Sequence, residues 1–125
     1  MPFYPEKIDE RFVRLVYAGN LANADITHQN ASFVCGAVLK ILLRVEHGKI
    51  VETRFKAAGC GYLMAAADVL CEKVVNHTLQ DFKEIQARNP VQLSASIENE
   101  LGKFDDRRKH CLELAIETFQ TIVRN

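Results

Sequence analysis

Apolar and polar residues alternate twice in the middle of the chain. Ile41, Leu43 and Val45 fall on one side of an extended segment, and Lys40, Arg44 and Glu46 fall on the other. After His47-Gly48, Val51, Thr53 and Phe55 alternate with Glu52, Arg54 and Lys56. A period of two sends successive side chains to opposite faces, so the pattern predicts a β-hairpin with one wet face. Leu42 falls on the polar side and weakens the alternation. Elsewhere the period is helical. Ile8, Phe12, Leu15 and Val16 predict a short helix over 8–17, and Leu63, Ala66, Ala67, Leu70 and Val74 predict a second over 62–75. Thr78 and Asp81 have capping-box spacing for a third that ends near Asn89-Pro90. Leu112, Ala115, Ile116, Phe119, Ile122 and Val123 predict a terminal helix, with Asp105 and Asp106 as N-cap and first-turn charge. Residues 19–32 read as a loop or a loosely held edge strand, and 91–103 as either a helical turn or a loop.

Between the second strand and the alanine-rich helix lies KAAGCGYLMAAA, residues 56–67. Cys60 stands there between Gly59 and Gly61, on a strand-to-helix turn. Glycine admits backbone angles that other residues resist and leaves the sulfur uncrowded. A helix N-terminus also stabilises negative charge, which suits a thiolate. The plainer reading is a tight connector with a buried cysteine serving as a small hydrophobe.

A chain of 125 residues fits one domain over 1–125 and needs no disulfide to be stable. Sixteen basic and sixteen acidic side chains give a formal net charge of zero, without a run of either sign, so nucleic acid and anionic membranes are not indicated as partners. The N-terminal segment MPFYPEKIDERF is charged, without the apolar centre of a secretory signal, and no apolar run approaches a membrane span. The expected location is the cytoplasm, or an organelle matrix after removal of an import peptide. In a reducing compartment four cysteines are core fillers, metal ligands or reactive thiols rather than a disulfide framework.

Cys35, Cys60 and Cys111 each lie near the end of an element, where side chains from different elements can converge on one rim. The predicted hairpin brings its outer ends together and should make Cys35 and Cys60 neighbours. Cys71 lies roughly 16 Å further along the second helix than Cys60, too far to share a metal with it, and fits a core or boundary position. No CxxC pair is present. His28, His47 and His77 fall in loops or turns; His110 differs by adjoining Cys111.

Several of these segments resemble the iron–sulfur cluster assembly scaffolds of the IscU/NifU N-terminal type. The similarity begins at YPEKIDERF, continues through GNL at 19–21 and Cys35-Gly36, runs along VEHGKIVETRFKAAGCGYLMAAADVL, and closes with His110-Cys111 and Leu114-Ala115. It implies an α+β fold, a small antiparallel sheet with helices on one face. It further implies a binding protein without turnover, not an enzyme, that accepts sulfur from a cysteine desulfurase. A two-iron, two-sulfur cluster (2Fe-2S) would be assembled on Cys35, Cys60 and Cys111, with His110 a further ligand candidate, and passed to apo iron–sulfur proteins or carriers. The alternative in the same fold is a SufU-like protein that holds zinc and relays persulfide sulfur from the desulfurase. A third reading is a degenerate member acting only as an interaction domain. Two departures stand out. Ala37 replaces the family's aspartate in Cys-Gly-Asp, a weak fourth ligand and, in the relay type, a zinc ligand. Phe104 to Arg108 replace the Leu-Pro-Pro-Val-Lys chaperone motif, which counts against release by a DnaK-type chaperone.

Overall fold

The hairpin forms where the alternation places it. The computed structural model describes residues 4–125, and residues 1–3 of the charged N-terminal segment lie outside the described residues. In chain order the elements are α1 (Glu6–Phe12), β1 (Ile26–Ala31), β2 (Val38–Glu46), β3 (Lys49–Ala58), α2 (Gly61–Val74), α3 (Leu79–Arg88), α4 (Gln92–Leu101) and α5 (Lys109–Arg124). The strands make one antiparallel sheet in the order β1-β2-β3. His47 and Gly48 both take positive φ, 52° and 79°, as a tight primed hairpin turn requires.

A bulge between Arg44 and Val45 changes which residues face inward. Arg44 pairs with Glu52 and Val45 with Ile50, so Val51 is the extra residue of β3. Ile50, Thr53 and Phe55 are therefore buried and Val51 only partly so, which corrects the simple alternation expected for this strand. Leu42 is buried as well, between Thr27 and Arg54 on the neighbouring strands, so the second face is not uniformly wet.

The helices supply the other half of the core. α2 packs on β3, while α5 lies across β1 and β2. The predicted stripe of α2 is buried in full, from Leu63 to Val74, and so is that of α5, from Leu112 to Val123. The architecture is the expected α+β fold.

Three boundaries differ from expectation. α1 ends at Phe12 rather than Tyr17, because the chain leaves the helix to pair with β3: Phe55 N–H donates to Tyr17 O at 2.9 Å and Gly19 N–H to Phe55 O at 2.9 Å. Asp105 and Asp106 do not cap α5, which starts at Lys109; Asp105 instead accepts backbone N–H groups of Arg107, Arg108 and Lys109 in a turn ahead of it. The ambiguous stretch is the helix α4, held by the buried pair Ile97 and Leu101 one turn apart. Residues 26–31 take the edge-strand alternative, and Thr78 Oγ1 accepts from Asp81 N at 3.0 Å as the cap of α3.

Candidate functional site

Cys60 is the N-cap residue of α2, and Cys111 lies in the first turn of α5. Because those two helices start at the same end of the sheet, the Cys60 and Cys111 sulfurs meet at 3.5 Å. Two sulfurs bound about 2.3 Å from one tetrahedral centre stand about 3.8 Å apart, so this pair matches two ligands of a single metal. The contact joins Cys60 to Cys111, whereas the hairpin argument paired Cys60 with Cys35.

Cys35 belongs to the loop between β1 and β2. Ser32 shapes that loop: its carbonyl accepts Gly36 N–H at 2.9 Å, its N–H donates to Ala37 O at 2.8 Å, and its hydroxyl accepts Val34 N–H at 3.1 Å. Gly36 takes φ 72° to complete the turn. Cys35 is exposed there beside Phe33 and Val34, which are also exposed. The hairpin ends do meet, with Val38 opposite Ala58, yet among the described residues no three His, Cys, Asp or Glu side chains form a closed ligand group.

The Cys111 thiol is buried and pushed up to about 12. Burial is the main cause, followed by its hydrogen bond to Cys60, the negative charge that Cys60 would carry, and that of Cys35; Arg108 opposes them. A thiol raised in this way gives up its proton to a bound cation, whose charge reverses the repulsion. His110 lines a groove with Ser32, Phe33, Val34 and Glu113, on the side of α5 that faces the Cys35 loop. Cys71 lies in the core, away from this end, as expected.

The glycines around Cys60 serve close packing rather than unusual backbone angles. Neither Gly59 nor Gly61 takes a positive φ. A Cβ on Gly61 would stand 2.7 Å from the Tyr4 ring, and one on Gly59 would stand 2.9 Å from Leu63 Cδ2 and 3.1 Å from Ala37 Cβ. The Cys60 turn is thus walled, not bare. Ala37 is buried against Gly59 as part of that wall.

Sequence reasoning missed the aromatic residues that build the rest of it. Tyr62 makes edge contacts with Tyr4 (5.3 Å between centroids) and Phe104 (5.7 Å), and the Arg108 guanidinium sits 4.9 Å from the Tyr62 ring centre. The segment 104–108 is therefore packed onto α2. It also missed Asp68, a buried carboxylate on α2, although one acid inside the apolar run AAADVLC is a visible signal.

The sequence model of the family described as NifU-like N terminal domain matches residues 3–125. The nitrogen fixation protein NifU of Azotobacter chroococcum is 30% identical over 124 residues, covering 98% of this chain and 38% of that protein. The iron-sulfur cluster assembly scaffold protein IscU of Aquifex aeolicus is 27% identical over 124 residues, covering 98% of this chain and 74% of that protein. The chain thus spans well under half the length of the first relative and about three quarters of the second. Among solved structures, a NifU-like N-terminal protein from Brucella abortus superposes with a TM-score of 0.77 at 17% identity, covering 97% of this chain and 92% of that one.

Proposed function

The chain belongs to the NifU-like N-terminal domain family, and on that premise we propose that it is an iron–sulfur cluster assembly scaffold, not an enzyme. Its cargo is a two-iron, two-sulfur cluster built on Cys35, Cys60 and Cys111 and then handed to apo-proteins. The observation that carries this reading is the 3.5 Å contact of the Cys60 and Cys111 sulfurs at the end of the fold where the exposed Cys35 also lies.

Each part of the site has a separable task. Cys60 and Cys111 form a half-site of two soft ligands, the kind that suits iron–sulfur chemistry. Cys35 sits on a short exposed loop, from which it closes the ligand set around the cargo and opens it again for transfer. Sulfur reaches this rim from a cysteine desulfurase, and no buried cage has to unfold for the cluster to leave. His110, on the groove side of α5, is the candidate for the position that Ala37 cannot fill. The packed Phe104–Arg108 segment replaces the chaperone motif, so release proceeds without that contact.

Anaerobic reconstitution with ferrous iron and sulfide tests the reading. Iron and acid-labile sulfide should bind in near-equal amounts with visible absorption that is lost in Cys35→Ser, Cys60→Ser and Cys111→Ser and kept in Cys71→Ser. One zinc per chain, with no sulfide retained after reconstitution, would overturn it in favour of the zinc-holding relay. A chromophore that depends on Cys71 would overturn the ligand assignment.

A further inference from the structure

The backbone amide that follows Cys60 is occupied from far away in the sequence. Gly61 N–H donates to the hydroxyl of Tyr4 at 3.0 Å, across 57 residues. The first amides of a helix have no partner within it, and the Cys60 side chain makes no cap hydrogen bond. Tyr4 supplies the missing acceptor. Its ring lies over Gly61 so closely that any side chain there would collide with it.

The same ring braces the route from Cys60 to Cys111. Tyr4 stands edge-on to Tyr62, and Tyr62 in turn contacts Phe104 and Arg108 from the segment that leads into α5. Tyr4 also meets Phe12 edge-on at 5.8 Å, at the end of α1. α1 is tied down by Arg11, whose Nε donates to Asp68 at 2.6 Å and whose Nη2 donates to Glu72 at 3.0 Å. Tyr4 is thus the tip of an anchored strap, pressed against the first turn of α2 beside one sulfur and, through Tyr62, against the approach to the other.

From these contacts we propose that Tyr4 is a positioning residue for the Cys60–Cys111 pair, holding the start of α2 so that the two sulfurs stay in contact. This deepens the scaffold reading by naming what sets the geometry of its half-site, and it rests on that reading only for its use. The hydroxyl and the ring make distinct contributions, one through the Gly61 amide and the other through Gly61 and Tyr62, so they are separable by substitution.

The test reads the sulfur pair in the metal-free full chain, in a Cys35→Ser background that removes the competing exposed thiol. In glutathione redox buffers, oxidised glutathione takes two electrons from Cys60 and Cys111. Their disulfide forms by exchange through a mixed disulfide, with two molecules of reduced glutathione released. Peptide mapping by mass spectrometry gives the equilibrium constant. Tyr4→Phe should lower it about five-fold, the equivalent of one ordinary hydrogen bond, and Tyr4→Ala should lower it more than ten-fold. Phe82→Ala, at the remote contact of Phe82 with Phe119, should lower the melting temperature without moving the constant. Constants for both Tyr4 variants within two-fold of the parent, or an equal shift in Phe82→Ala at matched stability, would overturn the proposal. The measurement needs no iron. Failure of cluster reconstitution would therefore sink the scaffold reading while leaving the positioning role standing, and the reverse pattern would sink only the positioning role.

Discussion

Cys71 carries the same functional group as the three cysteines at the end of the sheet, and its surroundings give it a different chemistry. It is buried on α2, where burial pushes its thiol up from 9.0 to about 12, with the nearby Thr53 hydroxyl opposing the shift. This links stability to pH with a definite sign. Below pH 9.0 both folded and unfolded states keep the proton, and the contribution is fully present. Above it the unfolded thiol ionises while the folded one does not, so the unfolded state binds fewer protons and stability falls until the folded group titrates near pH 12. Urea unfolding at pH 8 and pH 10.5 should show the parent losing about 2 kcal/mol more than Cys71→Ala over that interval. Equal losses would mean that this thiol meets solvent. The core position of Cys71 was legible from helix geometry alone. The packing of Gly59 and Gly61 was not, because the atoms that crowd them belong to Tyr4, Leu63 and Ala37, and a G-C-G triplet carries no sign of what lies over it.

Elements with a wide apolar stripe announce themselves, and those held by one or two specific contacts do not. α2, α5 and the β2–β3 hairpin follow their periodicities. α4 buries only Ile97 and Leu101 and has no side-chain cap, so nothing marked it as a helix. α1, seven residues long, is too short to persist on its own packing of a single buried residue, Ile8. Asp68 supplies what α1 lacks. Its buried carboxylate accepts Val16 N–H at 2.9 Å, Tyr17 N–H at 2.7 Å and Arg11 Nε–H at 2.6 Å, tying the helix and the turn after it to α2. Removing it strands two backbone donors and the partly buried Arg11, whereas the amide of Asn keeps one accepting oxygen. Asp68→Ala should cost about 3–5 kcal/mol in chemical denaturation, as for breaking a buried pair from one side, and Asp68→Asn about 1–3 kcal/mol. A loss below about 0.5 kcal/mol in Asp68→Ala, the scale of an ordinary surface substitution, would show that α1 is held by its apolar contacts.

At the scale of the whole molecule, the three candidate cysteines come from a strand-connecting loop, the start of α2 and the start of α5. The motifs that carry them were legible in order, but their geometry was not, since it depends on where two helices begin relative to one sheet edge. A late start of α5, at Lys109 instead of the aspartates, is what puts Cys111 in a first turn facing Cys60. α2 lies at the centre of this arrangement, against α1, α4, α5 and β3, so the face that carries Cys71 cannot reach solvent unless those partners separate together. Thiol labelling with an aromatic disulfide across a urea series makes that measurable. Cys35, exposed on its loop, should react at once in the folded protein. Cys71 should react only along the transition that far-ultraviolet circular dichroism reports, with the same midpoint, as a single cooperative unit demands. Labelling of Cys71 at lower urea would show that α2 opens as a separate unit. Cys60 would then be mounted on a movable part, and its contact with Cys111 would be set by the opening of α2 rather than by the strap that ends in Tyr4.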